Sequence, residues 1–132
     1  MTTAVNLVLN DEATTPVAHT FTPRTISPEG AFFFENGQYR VGEAQVSVRS
    51  RISNGKYYKR VVLSVPATQV ETVNGIQNPK VIWTDLVDVT FRFDEKSTTQ
   101  TRKNIIGMFR GIFDPAKTMI RDVLVNDETI NG

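Results

Sequence analysis

Apolar and polar residues alternate along residues 81–93, VIWTDLVDVTFRF, for the length of a long β-strand. One set of alternate positions is apolar apart from Asp85, and it consists of Val81, Trp83, Val87, Val89, Phe91 and Phe93. The other set is mixed, and it consists of Ile82, Thr84, Leu86, Asp88, Thr90 and Arg92. Because successive side chains of a strand point to opposite faces, the pattern predicts a half-buried antiparallel strand with one apolar face.

The same two-residue period occurs in residues 43–53 and in residues 56–65, on either side of Asn54-Gly55. Asn-Gly readily adopts the positive φ angles of a tight turn, so residues 43–65 are predicted to form an antiparallel hairpin. Its polar face would carry Gln45, Ser47, Arg49, Arg51, Lys56, Tyr58 and Arg60. A β-bulge near residues 57–59 would exchange Lys59 for Arg60 on that face.

Residues 1–23 are predicted to form an N-terminal β-hairpin around the turn-rich sequence NDEATTP of residues 10–16. Residues 23–30 contain two prolines and a glycine, which favours a loop. Residues 31–35, AFFFE, favour a third short strand.

Pro66 is expected to end its strand, which leaves a long loop at residues 67–79. A loop of this length is uncommon in a compact domain and is more often functional. Its tip is predicted to be a turn at Asn74-Gly75, and its apolar residues indicate that it contacts another molecule. The residues that we assign to this contact are Val70, Val73, Asn74, Gly75 and Ile76.

Beyond Phe93 the spacing of apolar residues becomes helical. Ser97 is a predicted N-cap for a helix over residues 98–113, and Asp114-Pro115 predicts the start of a second helix that ends near residue 125. The apolar stripes of these helices contain Ile105, Phe109, Ile112, Ile120 and Leu124.

Six strands followed by two helices predict a single α+β domain over residues 1–132, with the sheet in residues 31–93 and the helices in residues 98–125. Two short helices cover only part of one sheet face, so a monomer would expose apolar surface. We therefore expect an obligate dimer whose helices cross between subunits and pack through their apolar stripes. The alternative is a monomer whose N-terminal hairpin folds over the sheet.

The composition excludes several kinds of chemistry. Without cysteines there are no disulfides or thiolates, and with His19 as the single histidine no Ser-His-Asp triad or two-histidine metal site can form. Asp85 and Asp88 are three residues apart on a strand, so they face opposite sides and do not share a proton. No glycine-rich phosphate-binding motif and no membrane-spanning apolar run occurs. We expect no enzymatic activity, no cofactor, no metal and no membrane partner.

The net charge of +1 does not indicate a nucleic-acid-binding protein, so a basic site must come from local clustering. The predicted polar sheet face provides such a cluster. Its arginines and lysine can bind phosphates, Tyr58 can stack on an unpaired base, and Asp88 can accept a hydrogen bond from a base amino group. The alternative interpretation is a solvated sheet face that is basic without binding RNA.

Three stretches of the chain resemble the coat proteins of the leviviruses, the single-stranded RNA bacteriophages. They are SVRSRISNGKYYKRVVLSVP at residues 47–66, VETVNGIQNP at residues 70–79, and Trp83 followed by DVTFRF at residues 88–93. The continuation DVTFRFDEKSTTQTR most resembles the Q-beta branch of that family. The likeness holds from about Gln45 to the end of the chain and is carried by the succession of motifs.

The resemblance implies a fold and a function. The fold is an N-terminal hairpin, a five-stranded antiparallel sheet and two C-terminal helices that interlock with a partner, so that the dimer has a continuous ten-stranded sheet. Dimers build an icosahedral shell in the bacterial host cytoplasm, with the sheet facing the genomic RNA inside the virion. The dimer also binds an RNA stem-loop and represses translation of the replicase, and a maturation protein is a further partner. The loop at residues 67–79 would be the assembly loop.

Residues that match the RNA-contacting strand positions of the family are Gln45, Ser47, Arg49, Arg51, Lys56, Tyr58, Arg60, Leu86, Asp88 and Thr90. The Q-beta branch commonly has tyrosine where Leu86 stands, and leucine cannot stack on a loop base as tyrosine does. Some relatives cross-link their shells through cysteines in the long loop, which this chain lacks. The alternative function is that of a dimeric RNA-binding regulator that does not assemble, although the apolar residues of the long loop argue against it.

Overall fold

A computed structural model describes residues 2–37 and 40–131 of the chain. The structure does not describe residues 1, 38, 39 and 132. The predicted domain (1–132) includes all four, and the predicted sheet (31–93) includes residues 38 and 39, so these parts of the two predictions lie outside the described residues. The chain divides into two compact units, the first ending at Arg92 and the second beginning at Phe93.

Within residues 2–37 and 40–131, one antiparallel sheet contains all the strands, in the order β1-β2-β3-β4-β5-β6. The strands are β1 (Leu7–Asn10), β2 (Ala18–Ser27), β3 (Gly30–Glu35), β4 (Gln45–Ser53), β5 (Lys56–Val73) and β6 (Ile76–Asp94). A short 3-10 helix at Arg40–Gly42 precedes β4, and the helices α1 (Thr99–Ile112) and α2 (Thr118–Asn126) follow the sheet. The predicted α+β class and element order are confirmed, and the N-terminal hairpin belongs to the same hydrogen-bonded sheet as the other strands.

Two Asn-Gly pairs make the tight turns of the long hairpins. Asn54 and Gly55 have φ of 51° and 73°, and Asn74 and Gly75 have φ of 51° and 79°. Consecutive positive φ angles fit the right-handed twist of the flanking strands, and this conformation favours asparagine and glycine. The turns predicted at Asn54-Gly55 and Asn74-Gly75 are confirmed.

The loop predicted for residues 23–30 is wrong, because β2 continues to Ser27 and turns through Pro28 and Glu29 into β3. The register of β2 against β3 shifts between Pro23 and Thr25, which marks a bulge. A bulge accommodates a proline inside a sheet, because the residue need not donate to the ladder there.

The loop predicted for residues 67–79 is also wrong in its structure. Strand β5 continues through Pro66 to Val73, and β6 begins at Ile76, so the segment is the far end of a β-hairpin. The β4–β5 ladder ends at the pair Gln45–Ser64. Pro66 lies beyond that pair, so its missing N–H costs no hydrogen bond to β4.

The core of the first unit is small. Its buried members are Phe21, Phe33, Ala44 and Val46, and the apolar residues that pack against them are Ala4, Leu7, Ala31 and Leu63. Strand alternation and register place further apolar residues on this same face, and many of them are exposed in the single chain. The exposed ones on β4 and β5 are Val48, Ile52, Val61 and Val65.

His19 of β2 forms hydrogen bonds both to β3 and to the segment between β1 and β2. Its Nδ1 lies 2.5 Å from Oε2 of Glu35, and its Nε2 lies 2.8 Å from Oδ2 of Asp11. The two carboxylates raise the pKa of His19, chiefly through the hydrogen bond to Asp11. The same hydrogen bond lowers the pKa of Asp11 to about 2.

The second unit contains α1 and α2, whose residues are all described. Thr98, rather than the predicted Ser97, is the N-cap of α1, and its Oγ1 accepts from the backbone N–H of Thr101 at 3.1 Å. The prediction that Asp114 caps α2 is wrong, because its carboxylate accepts from the N–H of Ala116 at 2.9 Å in the turn before the helix. Neither helix contains a buried side chain. No helix in the described part of the chain is long and apolar enough to cross a membrane.

Candidate nucleic-acid interface

The register of β4 against β5 decides which basic residues share a face. The ladder runs without a shift from Gln45–Ser64 to Ser53–Lys56, and it pairs Arg49 with Arg60 and Arg51 with Tyr58. Lys59 pairs with Ser50 and therefore lies on the opposite face. The bulge that would have exchanged Lys59 for Arg60 does not occur.

A groove of about 470 Å³ lies on this face, which we call the basic groove. Among its lining residues, those predicted from the sequence as RNA-binding are Arg49, Arg51, Tyr58, Arg60, Asp88 and Thr90. Two further lining residues, Glu29 and Arg92, were missed as binding residues. Ser50 also lines the groove, but its side chain lies on the opposite face, where its Oγ accepts from Lys59. The sequence pattern contained the information to place Arg92 on this face, because Arg92 continues the alternation of Asp88 and Thr90. No pattern in the sequence placed Glu29 there, because its segment was predicted to be a loop.

The remaining predicted residues lie outside the lining of the basic groove. Ser47 is buried, and Gln45 is half-buried. Lys56 follows the Asn54-Gly55 turn at the end of the hairpin and is exposed. Leu86 is exposed on β6, where it presents an apolar side chain.

Arg60 and Asp88 form a two-point ion pair across β5 and β6. The Nε of Arg60 donates to Oδ1 of Asp88 at 2.9 Å, and its Nη2 donates to Oδ2. The hydrogen bond from Arg60 lowers the pKa of Asp88, and the hydrogen bond to Asp88 raises the pKa of Arg60. The carboxylate is therefore ionised and acceptor-only at neutral pH.

The other arginines of the basic groove lie over aromatic rings. The guanidinium of Arg51 is 4.6 Å from the ring centroid of Tyr58, and that of Arg92 is 5.8 Å from the same centroid. The guanidinium of Arg49 is 5.1 Å from the centroid of Phe32, which pairs with Ser47 and so lies on this face. Such contacts orient a guanidinium without neutralising its charge.

The charge of the basic groove is positive although the chain is nearly neutral. Four arginines line it, together with the carboxylates of Glu29 and Asp88. Arginine forks match the geometry of phosphate oxygens, and an aromatic ring offers a surface on which a base can stack. The groove thus combines phosphate-binding groups, a stacking ring and hydrogen-bond acceptors.

The residues predicted for the subunit interface lie on α1 and α2. Phe109 and Ile120 are half-buried in the single chain, and the ring of Phe109 meets that of Phe113 edge-on at 5.0 Å. The exposed members are Ile105, Ile112 and Leu124.

The residues predicted for assembly lie at the far end of the β5–β6 hairpin, whose turn is Asn74-Gly75. The apolar side chains next to the turn are exposed, and they are Val70, Val73 and Ile76. Their role in assembly stays a prediction.

A family model described as levivirus coat protein matches residues 2–130 of the chain. The capsid protein of Pseudomonas phage PRR1 is 38% identical to the chain over 122 residues, which are 92% of this chain and 93% of that protein.

Solved structures share the fold. The virus-like particle of bacteriophage ESE058 matches with a TM-score of 0.86 at 21% identity, and the match covers 98% of this chain and 100% of that one. A bacteriophage structure described as an unassembled virus coat protein dimer and RNA-binding dimer matches with a TM-score of 0.69 at 17% identity, over 96% of this chain and 97% of that one. At these identities the likeness shows a common fold alone.

Proposed function

This chain belongs to the levivirus coat protein family, and on that premise we propose that its dimers assemble into a shell that binds RNA through the basic groove. It is a structural capsid protein rather than an enzyme. The observation that carries the RNA-binding proposal is the basic groove, where four arginines and Tyr58 lie together on one sheet face.

The dimer is supported by the apolar surface that a single chain leaves exposed. Val48, Ile52, Val61 and Val65 lie on the sheet face opposite to the basic groove, and all are exposed. Ile105, Ile112 and Leu124 are exposed on the helices. Monomeric soluble proteins rarely expose large apolar patches, and a second copy of the chain supplies a matching apolar face.

Assembly of the shell is supported by the β5–β6 hairpin. Its turn is a two-residue Asn-Gly turn, and the exposed side chains of Val70, Val73 and Ile76 surround it. We assign to this tip the contacts between dimers around the symmetry axes of the shell. The hairpin is a paired structure, so it presents these side chains in a defined geometry.

RNA recognition divides into a charge component and a readout component. Arginines bind phosphates of any sequence, whereas Asp88 accepts only from donors and so favours bases with an amino group. This division supports a role beyond packaging, in which the dimer binds one stem-loop of the genomic RNA and represses replicase translation. We also assign to the virion a maturation protein as partner and place assembly in the cytoplasm of the bacterial host, on the basis of the family.

The salt dependence of RNA binding tests the role of the basic groove. Arg49→Ala removes a cation of the groove, and Lys59→Ala removes one charge from the opposite face of the same hairpin. We expect Arg49→Ala to lower the slope of log K against log salt by about 0.7–0.9 for one lost phosphate contact. Lys59→Ala should leave the slope unchanged. Equal effects of the two substitutions would show that RNA binds by overall charge and not in the groove.

A further inference from the structure

We propose that Arg60 acts on RNA through Asp88, as a positioning residue that fixes the carboxylate for reading the exocyclic amino group of an unpaired base. It would then contribute to discrimination between RNAs and little to phosphate binding. This inference rests on the proposed RNA-binding function of the basic groove. It revises the expectation from the sequence, in which Arg60 and Arg49 are equivalent phosphate-binding cations.

The geometry separates Arg60 from Arg49, its partner in the β4–β5 register. Arg60 holds both oxygens of Asp88 with two N–H groups. Arg49 lies over the ring of Phe32. Among the described residues, Arg49, Arg51 and Arg92 form no ion pair with a carboxylate.

The pairing changes what Arg60 can contribute to RNA affinity. The salt dependence of RNA binding arises from counterions that cationic side chains displace from phosphates. The charge of Arg60 is already compensated by Asp88, whereas that of Arg49 is not. Removing Arg60 should therefore change the salt dependence much less than removing Arg49.

The pairing also prepares Asp88 for readout. An ionised carboxylate has about four acceptor positions, of which Arg60 occupies two, so the others remain for an RNA base. The hydrogen bond from Arg60 lowers the pKa of Asp88, and the two-point contact fixes the plane of the carboxylate. A fixed acceptor selects an exocyclic amino group, which cytosine, adenine and guanine have and uracil lacks.

The test uses RNA hairpins with one stem and a randomised loop, from which the best binder of the unmodified protein is selected. Each loop cytosine is then replaced by uracil, each loop adenine by purine and each loop guanine by hypoxanthine, one position at a time, so that only amino groups are probed. The discrimination ratio is the affinity for the selected hairpin divided by the affinity for its replaced form. The proteins are the unmodified chain, Arg60→Ala, Arg60→Lys, Asp88→Asn, the double variant Arg60→Ala/Asp88→Asn, and Arg49→Ala as the matched control.

We expect one loop position at which the unmodified protein discriminates by about 5- to 150-fold, the range for one good base contact. Asp88→Asn and Arg60→Ala should both reduce this ratio, and the double variant should reduce it no further than Asp88→Asn. Arg60→Lys keeps the charge but cannot make the two-point contact, so it should lower the ratio without changing the salt slope. Arg49→Ala should lower the slope and keep the ratio.

Opposite results would overturn the inference. The first is that Arg60→Ala leaves the discrimination ratio unchanged and reduces the salt slope as much as Arg49→Ala does. The second is that the unmodified protein binds RNA hairpins without discriminating any base that carries an amino group. If Arg60→Ala does not fold by circular dichroism, Arg60→Lys decides the question through its ratio. An unmodified protein that binds no RNA at all would contradict the proposed function itself, which is a separate outcome.

Discussion

Leu124→Ala tests the predicted subunit interface, because Leu124 lies on the apolar stripe of α2 and is 63% exposed in the single chain. Complete burial of a leucine side chain contributes about 1.5–3 kcal/mol. If a partner covers the exposed 63%, the contribution is about 1–2 kcal/mol per copy and about 2–4 kcal/mol in a symmetric dimer. Loss of most of that free energy should weaken dimerisation by about 30- to 700-fold.

The matched control is Val125→Ala. Val125 is 65% exposed and adjacent in sequence, but helical spacing directs it away from the stripe that contains Ile120 and Leu124. A substitution on a solvated face should change stability by about 0.5 kcal/mol or less.

The assay is urea unfolding at protein concentrations that span two orders of magnitude, below those at which particles form. When unfolding is coupled to dissociation, the midpoint rises with protein concentration. We expect that rise for the unmodified chain, and a lower midpoint for Leu124→Ala than for Val125→Ala at every concentration. A midpoint independent of concentration would show that unfolding is not coupled to dissociation. Equal effects of the two substitutions would show that Leu124 does not lie at a subunit interface.

Three further predictions concern the helices, the hairpin tip and pH. Phe109→Ala should cost about 3–5 kcal/mol of unfolding free energy if the partner completes the burial of the ring, and denaturant titration measures it. The double substitution Val73→Ser/Ile76→Ser should keep the dimer in size-exclusion chromatography but abolish particles or change their size in electron microscopy, and normal particles would leave the tip without a role in assembly. The raised pKa of His19 stabilises the folded state fully below pH 6.5, the pKa of the unfolded state, and this stabilisation is lost as pH rises through the higher folded pKa. The lowered pKa of Asp11 stabilises the folded state above pH 3.8, and that stabilisation is lost as pH falls towards 2. The His19 cluster should therefore contribute most between about pH 4 and 6.5, and His19→Gln should flatten the decline of stability above that window in thermal unfolding scans.

Local rules predicted those parts of the fold that depend on neighbouring residues. Alternation in residues 43–65 and 81–93 placed the basic side chains on one face, and both Asn-Gly turns lie where their conformational preference puts them. Proline was misleading, because it stops a strand only where its N–H is needed. Pro66 lies beyond the β4–β5 ladder, so the strand continues through it.

The chemistry of the site depended on contacts between distant parts of the chain. The Arg60–Asp88 pair joins residues that are 28 apart in sequence, and alternation shows only that both lie on one face. Glu29 reaches the basic groove because β2 continues past Pro23 to Ser27 and turns through Glu29 into β3. Pairwise contacts of this kind require the strand order and register, which composition and periodicity do not specify.

Electron microscopy of the chain expressed alone in bacteria, combined with extraction of nucleic acid from the same purified fraction, tests directly whether the chain forms a shell around RNA. We expect closed particles that contain RNA protected from added nuclease. The particles of a variant with Arg49, Arg51 and Arg92 changed to alanine should retain less RNA. Soluble dimers that bind RNA without forming particles at any protein concentration would contradict the assignment as a shell subunit, and empty particles from the unmodified chain would contradict the role of the basic groove.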